Sequence, residues 1–155
     1  MTPLSCDALR ATRPSRAERI LAWIPLIGWT FAHVLQEERF RPIIAEIERQ
    51  LLARPETDQY WETYDEFGCL NRRLRKLIAT EFHWPNDRFL PDDSFEIVFW
   101  DHGVSMDDLW TIQCIEEEFG IEISADDLMP VWQGGTLGEF VTLVALRSAT
   151  KSGMN

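Results

Sequence analysis

The stretch from Gly103 to Gly120 constrains this chain most, because it carries a full set of signals for one amphipathic helix. Ser105 stands at its start and Asp108 follows three residues later, a variant of the serine-led capping box. Gly120 is typical of a helix end. Apolar residues recur at steps of three and four and predict one buried stripe: Met106, Leu109, Ile112, Ile115 and Phe119. The other side of this helix is acidic.

The negative charge of the chain is concentrated in its later part. The formal net charge of the 155 residues is -11, and residues 91–155 contain 13 acidic residues against only Arg147 and Lys151. Binding to nucleic acid needs a basic footprint, so this distribution argues against a nucleic-acid partner and favours basic proteins. Solubility alone is the plainer explanation of an acidic surface.

The cysteine and histidine residues indicate neither a disulfide framework nor a metal site. Cys6, Cys69 and Cys114 are odd in number and widely spaced, and no histidine joins them in a cluster. We therefore predict no metal ligands. Unpaired cysteines fit a reducing compartment, so a cytoplasmic location is the simplest expectation.

Residues 20–35 form an uncharged apolar segment that has three alternative interpretations. A membrane span needs about 20 apolar residues, and this segment is shorter and is interrupted by Pro25 and Gly28. A signal peptide would need a better cleavage site than residues 30–32 offer. We favour a buried or interfacial helical segment, which leaves open whether it packs on the domain or contacts a membrane peripherally.

Two further stripes of apolar residues predict helices at residues 36–54 and 70–82. Pro42 suits the first turn of the earlier helix. The later helix carries four basic residues, which we expect to face solvent and to pair with carboxylates: Arg72, Arg73, Arg75 and Lys76. Residues 55–68 are rich in aromatic side chains and predict a packed connector between the two helices.

Capping signals predict two helices after the central one. Ser124 and Asp127 open a short helix that we expect Pro130 to end, and Thr136 and Glu139 form a full capping box for the last helix. The apolar residues 96–100, which precede the central helix, predict an extended segment or a single helical turn, since an isolated strand would have no partner.

From about Cys69 to Arg147, the order of long helix, long loop, acidic helix, short helix and final helix resembles the acyl carrier proteins. Phe95 stands where that family has a core-filling phenylalanine, and residues 116–123 are similar to the family's acidic helix end. The resemblance implies an all-α fold. It places an acyl-carrier-like four-helix bundle at residues 69–149, a helical N-terminal extension at residues 1–68 and a tail at residues 150–155.

The resemblance also implies a function without catalysis. In this family the serine in the place of Ser105 holds a phosphopantetheine arm, whose thiol carries an acyl group as a thioester. A phosphodiester there would lie at a helix N-terminus, which favours an anion. The implied partners are a phosphopantetheinyl transferase and acyl-handling enzymes with basic docking surfaces. The docking residues expected on this chain are Met106, Asp107, Asp108, Trp110, Glu116 and Glu117.

The motif departs from the family pattern beside the serine. The family usually has Asp-Ser-Leu, whereas this chain has Val104-Ser105-Met106, without the charge that the resemblance links to recognition by the transferase. The alternative is therefore an unmodified carrier fold that acts as a protein-interaction module, with the serine as a plain N-cap. A hydrolase built on Asp101, His102 and Ser105 is not favoured, because no Gly-x-Ser-x-Gly elbow is present.

Overall fold

The computed structural model describes residues 1–5, 28–67, 69–99 and 107–152, and every regular element in these ranges is helical. In chain order the elements are α1 (Gly28–Ala53), a 3₁₀ helix (Asp58–Phe67), α2 (Leu70–Glu81), the single turn α3 (Phe95–Val98), α4 (Asp107–Phe119), α5 (Ala125–Trp132) and α6 (Leu137–Ser152). Pairing of the β type is limited, within these ranges, to one isolated antiparallel bridge between Ser94 and Thr136. The predicted all-α class is confirmed.

Phe95 lies at the centre of an aromatic cluster that joins α3, α5 and α6. It is completely buried, and its ring stacks on that of Phe99 with 4.1 Å between the centroids. The rings of Phe140 and Trp132 approach it to 4.8 Å and 5.6 Å. Helix α1 adds four buried side chains to the same hydrophobic core: Phe40, Ile43, Ile47 and Leu51. The N-terminal extension and the later helices therefore share one core.

The predicted capping boxes of the last two helices and the glycine end of α4 are confirmed. The hydroxyl of Ser124 accepts a hydrogen bond from the N–H of Asp127, and the carboxylate of Asp127 accepts one in return from the N–H of Ser124. Thr136 and Glu139 form the same reciprocal pair ahead of α6. Gly120 ends α4 in the left-handed conformation, with φ of 63°.

Two helices extend further than their sequence signals predict. Helix α1 begins at Gly28, so that Pro42 lies inside it rather than in its first turn, and α5 continues through Pro130 to Trp132. A proline within a helix removes one backbone hydrogen bond. The buried residues that follow each proline, Ile43 and Val131, oppose that cost because the helical path carries them into the core.

The prediction that the basic residues of α2 face solvent is wrong for Arg75, of which only 2% is exposed. The 3₁₀ helix and the segments around it cover this guanidinium. Its hydrogen bonds are accepted by the carboxylate of Asp58, the hydroxyl of Thr57 and the carbonyl of Asp87. A buried cation requires such partners. All three lie outside α2, so the periodicity of α2 could not predict the burial of Arg75.

The apolar segment of residues 20–35 is described only in part. Residues 28–35 form the first turns of α1, and residues 20–27 lie outside the described ranges. Among the helices that the structure describes, none has the length and apolar character needed to cross a bilayer.

Candidate functional site

Helix α4 begins at Asp107, two residues after Ser105, and carries the described part of the candidate site. Ser105 and Met106 lie outside the described residues, as do the side chains of Asp107 and Asp108. The structure therefore places the start of the helix but not the predicted attachment point itself. The remaining candidate residues, on the later turns of α4, are fully described.

Trp110 exposes 58% of its surface, although tryptophan is usually largely buried. Gln113 and Glu117 follow at the third and seventh positions, which places all three on one side of the helix. The amide of Gln113 donates a hydrogen bond of 3.0 Å to the carboxylate of Glu117. Tryptophan is enriched at partner-binding surfaces, so the exposed indole marks this side of α4 as a candidate for one.

The three glutamates at the end of α4 do not share one role. Glu116 is half-buried, and its carboxylate accepts a hydrogen bond of 2.6 Å from the N–H of Ile123. Glu118 forms an ion pair of 2.5 Å with Arg73 of α2. Glu117 is exposed and makes no ion pair with the described residues. Of the two glutamates predicted to bind a partner, Glu117 is thus free to do so, whereas Glu116 holds the turn that follows the helix.

Cys114 of α4 is half-buried, and its thiol lies 3.9 Å from the carboxylate of Glu81. Burial raises the pKa of this thiol, and the negative charges of Glu81 and Glu117 raise it further. A raised pKa keeps the thiol protonated, and only the thiolate is a strong nucleophile. Cys114 is therefore a poor candidate for a nucleophile.

A cleft of about 490 Å³ lies between the 3₁₀ helix and the start of α2, and no sequence pattern predicted it. Arg72 and Arg75 both pair with Asp58 in this cleft, and the hydrogen bond from Arg75 is the main reason that the pKa of Asp58 is lowered. The Nε of Arg75 has no hydrogen-bond partner among the residues that the structure describes, and its guanidinium lies 5.1 Å from the ring centroid of Trp61. With Glu62 also lining the cleft, its charges balance, so it favours neither anions nor cations.

Within the described ranges, no cluster of three or more histidine, cysteine or acidic side chains is placed to hold a metal ion. Comparisons with known proteins found no matching family model, no matching curated protein and no matching solved structure. The resemblance to acyl carrier proteins rests on the residues and motifs of this chain.

Proposed function

We propose that this chain is a non-catalytic, acyl-carrier-like protein that holds an acyl group on a phosphopantetheine arm at Ser105. The observation that carries the proposal is the position of α4, a 13-residue helix that starts two residues after this serine and ends in an acidic run. A phosphodiester attached ahead of such a helix would be stabilised by free backbone N–H groups and by the helix dipole.

The arrangement of the other helices supports an acyl-carrier-like four-helix bundle. Helices α2, α4, α5 and α6 follow one another in the order that the resemblance implies, with the single turn α3 in the long loop. Phe95, at the start of α3, fills the core as the family's phenylalanine does. The arm, once attached, supplies a thiol that carries the acyl group as a thioester, and the chain's own task is to present it to partner enzymes.

The proposed docking surface consists of Trp110 and Glu117 with the acidic first turn of α4. A basic patch on a transferase or an acyl-handling enzyme would be steered to this surface by charge and held by the exposed indole. Reversing the charges of Asp107, Asp108 and Glu117 to lysine should slow association with a phosphopantetheinyl transferase, most strongly at low salt. Glu116 is left unchanged in this variant, because its carboxylate bonds the N–H of Ile123.

The decisive test of the carrier proposal is the intact mass of the protein after incubation with coenzyme A and a broad-specificity phosphopantetheinyl transferase. We expect the wild-type chain to gain one phosphopantetheinyl group. Ser105→Ala should gain none. Ser124→Ala is the control, because Ser124 caps a different helix and its loss should leave the modification unchanged.

Absence of a mass gain in a folded wild-type chain, with the transferase active on a known carrier, would reject the carrier proposal. The alternative is then an unmodified carrier fold that acts as a protein-interaction module. The exposure of Trp110 beside Glu117 favours this alternative equally, since it needs no chemistry at Ser105. In that case Trp110→Ala should leave the fold intact and weaken binding to a basic partner.

A cytoplasmic location, with peripheral membrane contact through residues 20–35, belongs to the same proposal. Sedimentation with lipid vesicles tests the membrane contact. Full-length protein should bind vesicles, and a chain without residues 20–27 should bind them less. Equal sedimentation of the two proteins would argue that this segment packs on the domain instead.

A further inference from the structure

The first five residues of the chain lie in a groove between the second half of α1 and the turn at residues 90–93. Leu4 is buried, with only 4% of its surface exposed, and it belongs to the hydrophobic core. Its neighbours Thr2, Pro3 and Ser5 are exposed. The segment therefore inserts one apolar side chain and otherwise lies along the surface.

Four hydrogen bonds join this segment to other residues that the structure describes, and all four use the backbone of the segment. The carboxylate of Asp93 accepts a bond of 2.7 Å from the N–H of Leu4, and Arg54 donates one of 3.1 Å to the carbonyl of Thr2. The side-chain amide of Gln50 accepts from the N–H of Ser5 at 3.3 Å and donates to its carbonyl at 3.0 Å. The groove thus binds the backbone of a segment that has no regular secondary structure, and Leu4 is the one residue of the five that is buried.

The groups that make these bonds are held in place by other parts of the molecule. Asp93 is completely buried and accepts bonds of 2.6 and 2.8 Å from Arg54 and of 2.7 Å from the N–H of Leu90. Gln50 donates a bond of 2.9 Å to Glu46, one turn earlier on α1. The carboxylate, guanidinium and amide would therefore stay in position without the segment, which is what a binding site needs.

We propose that this groove is a peptide-recognition site that the first five residues occupy as a tethered ligand. Its partner class is an extended peptide segment of another protein with a leucine-like residue in the place of Leu4, which would compete with the chain's own segment. This inference is independent of the carrier proposal, since none of the groups that form the groove belongs to α4.

Residues 6–27 connect the segment to α1, and their number is sufficient for the segment to reach the groove. Gly28 and Gln50 are about 33 Å apart along α1, because a helix rises about 1.5 Å per residue. Residues 6–27 could span about 70 Å if fully extended, so the docked segment is under no tension. A separate peptide of this sequence should bind the groove weakly. It buries one side chain and makes four hydrogen bonds, and the ordering of its five residues opposes binding. Because the segment and the groove belong to one chain, docking is intramolecular and does not depend on the protein concentration.

The test uses the full-length chain with Leu4→Asp, which places a charge in the apolar slot and so releases the segment. A fluorescent peptide of sequence Met-Thr-Pro-Leu-Ser is titrated against this variant and against the wild type, and its anisotropy is measured. We expect the variant to bind the peptide and the wild type to bind it at least about tenfold more weakly, because its own segment competes. The same peptide with aspartate in place of leucine should bind neither protein.

A second variant checks the backbone contacts. Gln50→Ala, added to Leu4→Asp, removes the two bonds to Ser5 and should weaken peptide binding several-fold. In contrast, peptides with alanine in place of Thr2 or of Ser5 should bind as well as the parent, since the groove meets only the backbone at these positions.

Two outcomes would overturn the proposal. One is a Leu4→Asp chain that is folded by circular dichroism yet does not bind the peptide, or binds the aspartate peptide equally well. The other is loss of the fold in both Leu4→Asp and the milder Leu4→Ala, which would make the segment an essential part of the core rather than an exchangeable ligand.

Discussion

Two ion pairs connect distant parts of this protein, and they differ in how much water reaches them. Arg54 of α1 and Asp93 of the turn before α3 expose 6% and 0% of their side chains. Arg73 of α2 and Glu118 of α4 expose 52% and 46%. Both pairs are close, at 2.6 Å and 2.5 Å, so distance alone does not tell them apart.

The two pairs also differ in where their charges would lie if the pair were broken. Asp93 accepts hydrogen bonds from Arg54, Leu90 and Leu4, so its charge is fully satisfied only in the folded arrangement. Glu118 and Arg73 would simply return to water. The molecule therefore separates charges that hold the fold, around Asp93, from charges on α4 that remain open to solvent and to partners.

The largest effect is expected from Asp93→Asn. This change keeps the shape of the side chain but leaves the buried guanidinium of Arg54 without its counter-charge, which should cost about 3–5 kcal/mol in the free energy of unfolding. Chemical denaturation measures it. Asp92→Asn is the matched control, because Asp92 is the exposed neighbour and its change should stay within about 0.5 kcal/mol. Equal losses of unfolding free energy in the two variants would contradict the special role of the buried carboxylate of Asp93.

A smaller effect is expected from Arg73→Ala, which removes the ion pair with Glu118 and the contact of the guanidinium with the ring of Phe119 at 5.2 Å. Since both partners are half exposed, the loss should be at most about 1 kcal/mol and should shrink in high salt. Lys76→Ala, an exposed cation on the same helix, serves as the control. A loss as large as that of Asp93→Asn would mean that the α2–α4 contact also holds the fold.

The smallest effect concerns pH and the exposed carboxylate of Glu46. Hydrogen bonds from Arg49 and then Gln50 lower the pKa of Glu46 from 4.5 to about 2. Between these values the unfolded chain binds more protons than the folded one, so the contribution of Glu46 is complete above its unfolded pKa and is lost as the pH falls through about 2. The stability difference between wild type and Glu46→Gln should therefore be present at neutral pH and vanish in strong acid. A stability difference between the two proteins that grows as the pH falls would contradict this prediction.

The same lowering of pKa occurs at Asp58, through Arg75, and at Asp127, through Ser124 and Arg147. Each of these carboxylates stabilises the folded state only while it is ionised. We therefore expect the wild-type chain to lose stability below the ordinary carboxyl range, and urea midpoints measured at several acid pH values would check the trend.

Much of the helical framework could be predicted because its signals are local. The capping boxes at Ser124 and Thr136 and the glycine at the end of α4 each involve residues within a few positions of one another. Two predicted helix boundaries were wrong, because burial in the core outweighed the local effect of a proline. Pro42 and Pro130 lie inside helices, since the following turns are buried in the core.

At the candidate site, too, local sequence signals predicted some features and missed others. Periodicity assigned Glu116 and Glu117 to the acidic side of one helix. The resemblance to acyl carrier proteins added Trp110 as an apolar docking residue, and its indole is exposed. Periodicity could not show that Glu116 bonds the backbone of Ile123 while Glu117 stays open, because that depends on how the chain turns after Gly120. The attachment of an arm at Ser105 remains a prediction from the motif.

The sequence by itself determined the helical class, most helix positions and the acidic character of α4, since each follows from neighbours along the chain. The resemblance to acyl carrier proteins added the expectation that Phe95 is a core residue, and Phe95 is buried. Only the tertiary structure decided the burial of Arg75, the pairing of Arg54 with Asp93 and the insertion of Leu4. The partners in the last two contacts are 39 and 89 residues apart, and their bonds exist only when α1, the turn at residues 90–93 and the first residues meet. Periodicity reports which face of a helix is apolar, but not which distant charge or peptide segment comes to lie against it.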